Sequence, residues 1–340
     1  MRVVAGLSIK NLEPRVWNPA SPYYLPALSA VMVSYAEFHQ KPAQRSAAMD
    51  KGLRNYLGVP AGVDVYLDNG AFFFASRAGG APLAEYERFV QKTAPDWKPI
   101  PQDYIPIPAM SVQAQRGCFD RTMRVNRNYQ HDGYVPVIHI GRYLTDYTAA
   151  VAADRRLAAK PSIALGGIVP NLLRKSQAIP YSAVLAGLRH VRQVFNDKSI
   201  HVFGVGGTAT LHLLALTRFD SADSSGWRNR AARGIVQLPG CGERLVADLG
   251  KWRGRRPSPE DWDKLARCRC PACRQHGVDG LRARKLLGFC CRATHNLWVL
   301  LNECEWLEKH LAGGTYKQNY KRRVNNSIYK PLIEELLRSE

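Results

Sequence analysis

"SIALGGIVPNLLRKSQAIPYSAVLAGLRHVRQVFNDKSIHVFGVG", residues 162–206, decides the fold class. It begins with a short apolar β-rich run (162–168) and ends with another (200–206). Between them Val184, Leu185, Leu188, Val191 and Phe195 recur at helical spacing within 180–196. Strand, crossover helix and strand make a βαβ unit, which implies parallel strands. The alternation extends outward in both directions. Further runs lie at 3–7, 30–35, 63–67, 103–108, 134–140 and 233–238, and a second amphipathic stretch covers 81–94. Close to eight strands separated by helices predict an α/β fold closed as a (β/α)8 barrel, that is, a TIM barrel. An open doubly wound sheet is the alternative, although "GVGG" at 204–207 is too slight for a dinucleotide fingerprint.

A chain of 340 residues holds two domains, or one large barrel with an insertion. Its 48 Lys and Arg against 28 Asp and Glu give a formal net charge of +20. Such an excess points to a polyanionic partner, and nucleic acid is favoured because no basic amphipathic helix suggests a membrane surface. The start, "MRVVAGLSIKNLEPRVW", is broken by Lys10 and Glu13 too early for a signal peptide. No apolar run approaches the roughly 20 residues of a membrane span. These features predict a soluble cytoplasmic protein, where clustered cysteines serve as metal ligands rather than disulfides. The basic stretch 316–330 reads as a solvated face.

One segment concentrates the cysteines. "RCRCPACRQHGVDGLRARKLLGFCCRATHN", residues 267–296, holds five of the eight. Cys268, Cys270 and Cys273 form C-x-C-x-x-C, which brings three thiolates onto one turn. Zinc takes four tetrahedral S or N ligands, so a fourth is needed. The candidates are His276, His295, Cys290 and Cys291; His295, expected in the N-terminal turn of an apolar helix, is the choice. A closed Cys3His site is structural, with no open position for chemistry.

C-x-C-x-x-C followed by "HN" (295–296) resembles the zinc subdomain of the tRNA-guanine transglycosylase superfamily. The resemblance covers roughly residues 30–300 and implies a barrel over 1–238, a zinc-binding insertion over 239–294, and a last barrel helix with a basic tail over 295–340. Asp68, in "VYLDNGAFFF" at the end of a predicted strand, stands where barrel enzymes place their chemistry, though D-N-G alone is also a plain turn. The stretch is similar to the superfamily's D-S-G-G-F motif. That similarity puts Asp68 on a catalytic carboxylate, Asn69 and Gly70 beside the base, and Phe72 on the aromatic that stacks on it. Counting ungapped from Gly204 in "FGVGGTATLHLLALTRFDSADSSGW" places the superfamily's nucleophile on Asp223, with Asp220 as the alternative register. "SIALGGIVP" resembles the base-binding G-G-L loop through Gly166 and Gly167, and "VPVIHIG" puts His139 where the superfamily uses a base-reading Gln.

The chain also departs from that pattern. The purine-reading Asp is replaced by Pro108 and Ala109, with Asp103 six residues earlier. The Gly-Glu that closes the base loop becomes Asn171 and Leu172, and the L-P-T-R that follows the nucleophile in bacterial tRNA enzymes is absent. With the +20 charge, these departures make the chain most similar to the DNA-modifying branch. The implied reaction exchanges guanine in DNA for a 7-deazaguanine through a covalent glycosyl-aspartate; the alternatives are the same exchange on tRNA, or a non-catalytic zinc-containing nucleic-acid-binding protein. Arg228, Arg230 and Arg233, just beyond Asp223, are placed to meet flanking phosphates.

Overall fold

A computed structural model describes residues 1–75, 82–131, 133–173, 176–250, 252–325 and 327–338. Its strands are β1 (Arg2–Gly6), β2 (Ala30–Ser34), β3 (Asp64–Asp68), β4 (Val137–His139), β5 (Ser162–Gly166), β6 (Ser199–Val202), β7 (Ser221–Ser224), β8 (Ile235–Leu238) and β9 (Gly242–Leu245). The chain divides into two compact units: Met1–Ser29 with Gly206–Leu216 and Ser224–Glu340, and Ala30–Val205 with Thr217–Asp223.

The second unit is parallel α/β. Strand β2 pairs with β3 from Ala30↔Asp64 to Ser34↔Asp68. Strand β4 pairs with β5, β5 with β6, and β6 with β7, all parallel. Val31, Val33, Val65, Leu67, Ile163, Leu165, Ile200 and Val202 are buried. Near-continuous apolar runs of this kind suit strands covered on both faces. The βαβ unit read from 162–206 is present: β5, the helix Tyr181–Val194 and β6, with Val184, Leu185, Leu188 and Val191 buried.

The expected closed barrel does not form. Strands β3 and β4 are the end strands of their sheet, and the run 103–108 between them is not a strand. Pro99, Pro101, Pro106 and Pro108 punctuate this stretch, and each removes a backbone donor that a ladder needs. Only isolated bridges survive, Tyr66↔Trp97 and Pro99↔Val135. Leu67 N donates to Trp97 O, and Val135 N to Lys98 O, both at 2.9 Å.

In the first unit the run 233–238 becomes β8, which pairs antiparallel with β9 rather than joining a parallel sheet. Against this hairpin lie Leu265, Cys270, Ala272, Cys273, Leu281 and Cys291 in one buried cluster. The helix Pro259–Ala266 starts from a capping box in which Ser258 and Asp261 satisfy each other's backbone donors. Asp261 is also the buried partner of Arg244, 2.5 Å away. The helix Lys285–Ala312 runs unbroken across the boundary expected between 294 and 295, so His295 lies well inside it rather than in its first turn. The stretch 316–330 is not merely a solvated face, since Tyr316, Tyr320 and Val324 are buried. Among the described residues no helix is long and apolar enough to cross a membrane.

Candidate active site and metal centre

The strand ends of the second unit gather three carboxylates. Asp68 closes β3, and its Oδ2 accepts hydrogen bonds from Ser34 Oγ at 2.8 Å and Gly70 N at 3.0 Å. Oδ1 has no hydrogen-bond partner among the described residues. Gly70 is required here: its φ is +78°, and a Cβ would come within 2.7 Å of the Ala36 Cβ. Burial pushes the Asp68 carboxyl up to about 6; the Ser34 hydrogen bond opposes the shift, and the charges of Asp223 and Asp103 add to it.

Asp223, the nucleophile by the ungapped count, lies on β7. Its Oδ1 accepts from Gly204 N at 2.6 Å, and His201 Nε2 lies 3.5 Å from the same oxygen. Asp220, the alternative, precedes β7 and is held elsewhere, by Arg192 Nη2 at 2.6 Å and Ile200 N at 2.8 Å. Only Asp223 therefore shares the strand ends with Asp68.

Asp103 is the residue that sequence comparison undervalues. Although outside a strand, it is buried, with Oδ1 accepting from Asn69 Nδ2 at 2.8 Å and Oδ2 lying 2.9 Å from His139 Nε2. Asn69 also donates to Ile100 O at 2.9 Å and accepts from Ala71 N at 2.9 Å, so its amide is committed to the scaffold rather than free for a base. The His139 side chain is 0% exposed, with Asp103 against its Nε2. A Cβ at Gly166 would come within 2.7 Å of His139 Nδ1, so the imidazole packs directly against this glycine. Gly167 has φ +74° and lies 3.0 Å, by its Cβ position, from Ile140 O. Phe72 is 59% exposed.

His201 carries no signal in the sequence, where a lone histidine in an apolar strand reads as core. It is buried, with Nδ1 2.9 Å from Ser221 Oγ, while Nε2 has no hydrogen-bond partner among the described residues. A buried ring nitrogen left unbonded beside a carboxylate is unusual.

The arginines following Asp223 are not the expected row of phosphate contacts. Arg228 is buried, donating to Glu13 O at 2.7 Å and Asn11 O at 2.5 Å, so it ties down the N-terminal segment. Arg230 pairs with Glu243 at 2.5 Å. Arg233 is exposed and lies 4.2 Å over the Trp252 ring.

In the first unit Cys268, Cys270, Cys273 and His295 place their ligand atoms within 4.8 Å of one another, a set able to hold a metal ion. The thiol sulfurs lie 3.3, 4.0 and 3.6 Å from His295 Nδ1. On its far side His295 Nε2 is 2.9 Å from Gln237 O, which fixes that nitrogen as donor and leaves Nδ1 as the ligand. Asn296 takes the rest of the same β8 residue, its Oδ1 accepting from Gln237 N at 2.8 Å. The "HN" pair thus anchors the long helix to the hairpin and aims the imidazole. His276, Cys290 and Cys291 stay outside the cluster. No family model and no curated protein matches the chain.

Proposed function

We propose that this protein is a base-exchange transglycosylase that replaces guanine in DNA with a 7-deazaguanine derivative through a glycosyl-aspartate intermediate. The observation that carries the reading is the pairing, within one unit, of Asp223 with a second carboxyl, Asp68, raised to about 6. Two carboxyls with separate environments divide nucleophile from acid–base work.

In this reading the Asp223 carboxylate attacks C1′ of the target nucleotide as guanine departs, and the Gly204 N–H holds Oδ1 of the attacking group. Asp68, its carboxyl raised to about 6, donates a proton to the departing base and takes one from the incoming base. Asp103, oriented by Asn69 and backed by His139, accepts the Watson–Crick-edge donors of the purine. This Asp103 role replaces the base-reading assigned to Asn69 and His139. His201, its Nε2 3.5 Å from Oδ1, positions Asp223. A duplex base cannot reach these groups, so the target is unpaired or flipped out, with Phe72 stacking on it.

The metal we assign is zinc. Bonds of about 2.3 Å to sulfur and 2.0–2.1 Å to nitrogen imply tetrahedral S···N edges of roughly 3.6 Å, and the three separations of 3.3, 3.6 and 4.0 Å bracket that value. With four protein ligands the ion supplies folding stability and no open coordination position.

Labelled guanine, or a labelled deazaguanine, incubated separately with DNA and with unmodified tRNA tests the assignment. Label is expected in DNA and absent with Asp223→Asn. Label in tRNA alone would move the substrate to RNA, and label in neither favours the non-catalytic zinc-containing nucleic-acid-binding protein.

A further inference from the structure

The loops that follow β4 and β5 line a cleft of about 430 Å³ that the carboxylate chemistry does not use. Its walls are Pro106, Pro108, Val112, Ile140 and Ile179, and Arg142 is the one charged group among its lining residues. The size falls in the range of small-molecule sites. It adjoins the carboxylate site through covalent and hydrogen-bonded links: Ile140 to Arg142 directly continue from His139, and Asn171 Nδ2 donates to Gly167 O at 2.9 Å. Asn171 Oδ1 in turn accepts from Ile179 N at 3.1 Å, so the far wall is tied to the Gly167 turn.

Two features of the cleft want a ligand. Arg142 is exposed and has neither hydrogen bond nor ion pair among the described residues. Nearby Arg116 differs, since Asp120 and Asp146 lie 3.2 and 3.6 Å from it. The walls are the second feature. Val112 is 52% exposed at the start of the helix Val112–Asn128, and the prolines offer rings without backbone donors. A small inorganic anion would use Arg142 and leave the walls bare, whereas a purely apolar ligand would leave the guanidinium unmatched. A nucleotide uses both, with phosphate on the cation and its base or sugar on the apolar wall.

We propose that this cleft is a subsite for the nucleotide adjoining the target guanine on the same strand, its phosphate paired with Arg142 and its base packed on the proline and aliphatic walls. The proposal rests on reading the carboxylate site as a base-exchange centre, and it adds recognition of strand context at a defined place. It makes the substrate an unpaired segment of at least two nucleotides rather than a single flipped base.

Binding is measured by fluorescence anisotropy on the full chain, with a single-stranded oligonucleotide containing one guanine and with the same strand made abasic on each side of it in turn. The wild-type protein should lose affinity several-fold when one of the two neighbours is abasic. Arg142→Ala should weaken the intact strand several-fold and flatten the slope of log affinity against log salt by about 0.7, the loss of one phosphate contact to single-stranded DNA. Val112→Asp, also on the surface, should erase the abasic penalty. Wild-type affinity and salt slope in Arg142→Ala, or an abasic penalty unchanged in Val112→Asp, would overturn the subsite. Label exchange separates the two ideas: exchange with no Arg142 dependence refutes the subsite alone, and Arg142-dependent binding without exchange refutes the transglycosylase reading alone.

Discussion

The carboxylate site of one unit and the thiol cluster of the other use polar burial in opposite ways. Around the thiols the ligand groups themselves are matched, since three sulfurs and Nδ1 converge, Nε2 faces Gln237 O, and Asn296 takes Gln237 N; the buried atoms left unbonded nearby, Gln237 Oε1 and Thr294 Oγ1, are not among the ligands. Around the carboxylates groups are left over. Asp68 Oδ1, both ring nitrogens of His139 and His201 Nε2 lack hydrogen-bond partners among the described residues, and a carboxyl is held at about 6 by burial. A fully satisfied polar cluster stabilises, whereas an under-satisfied one costs stability and is retained where a ligand completes it. The two regions should therefore respond oppositely to mutation.

The largest effect is expected at the metal centre. Structural zinc in small sites contributes roughly 10–16 kcal/mol of apparent binding free energy at neutral pH. Purified protein should contain one zinc per chain, and Cys270→Ala or strong chelation should unfold the hairpin and its helices, seen as lost helical circular dichroism. A metal-free protein of unchanged stability would break the contrast.

Asp223→Asn comes next: exchange should fall to background, on the order of 10⁶-fold as for other covalent nucleophiles. The melting temperature should hold, because the amide oxygen still accepts from Gly204 N. Asp68→Asn should reduce turnover by roughly 10²–10⁴-fold. Its pH signature has a definite sign. With the carboxyl raised to about 6, adduct formation, which needs the acid, should slow above that pH, and resolution by the incoming base should slow below it. The raised value also means that the folded state holds this proton more tightly than the unfolded chain. Wild-type stability is thus lost as pH rises through about 4 to 6, and Asp68→Asn should melt a few degrees higher than wild type at pH 8 but not at pH 4.

His201→Asn sharpens the comparison further. Loss of a positioning group should lower kcat about tenfold, equivalent to roughly 1.4 kcal/mol, with KM unchanged. An equal rise in KM would make His201 a binding rather than a positioning residue. The smallest effect is expected for Arg230→Ala, whose partly exposed pair with Glu243 is worth no more than about 1 kcal/mol.

Local patterns make much of this legible in the sequence. Helical spacing within 180–196 identifies the crossover helix, and C-x-C-x-x-C with "HN" identifies all four ligands of the cluster. What escapes depends on distant parts of the chain. The prolines of 99–108 prevent a ladder that the apolar pattern of 103–108 suggests. The run at 233–238 is free to pair with residues 242–245, which carry no strand signal of their own in "GERL". Asp103 is easily missed because it lies six residues from the expected place, and only the non-strand path of its loop brings it to Asn69 and His139. Arg228 looks like a free cation because nothing local announces the carbonyls of Asn11 and Glu13.

The central claim is a covalent bond to one named carboxylate. Guanine-containing DNA is incubated with the protein, the mixture is denatured and digested with nuclease and protease, and the peptides are sequenced by mass spectrometry. The account predicts a deoxyribosyl mass on Asp223, gained with wild type, lost with Asp223→Asn, and discharged when excess deazaguanine is added before denaturation. An adduct on Asp220, or none on a protein that nevertheless exchanges label, would contradict it.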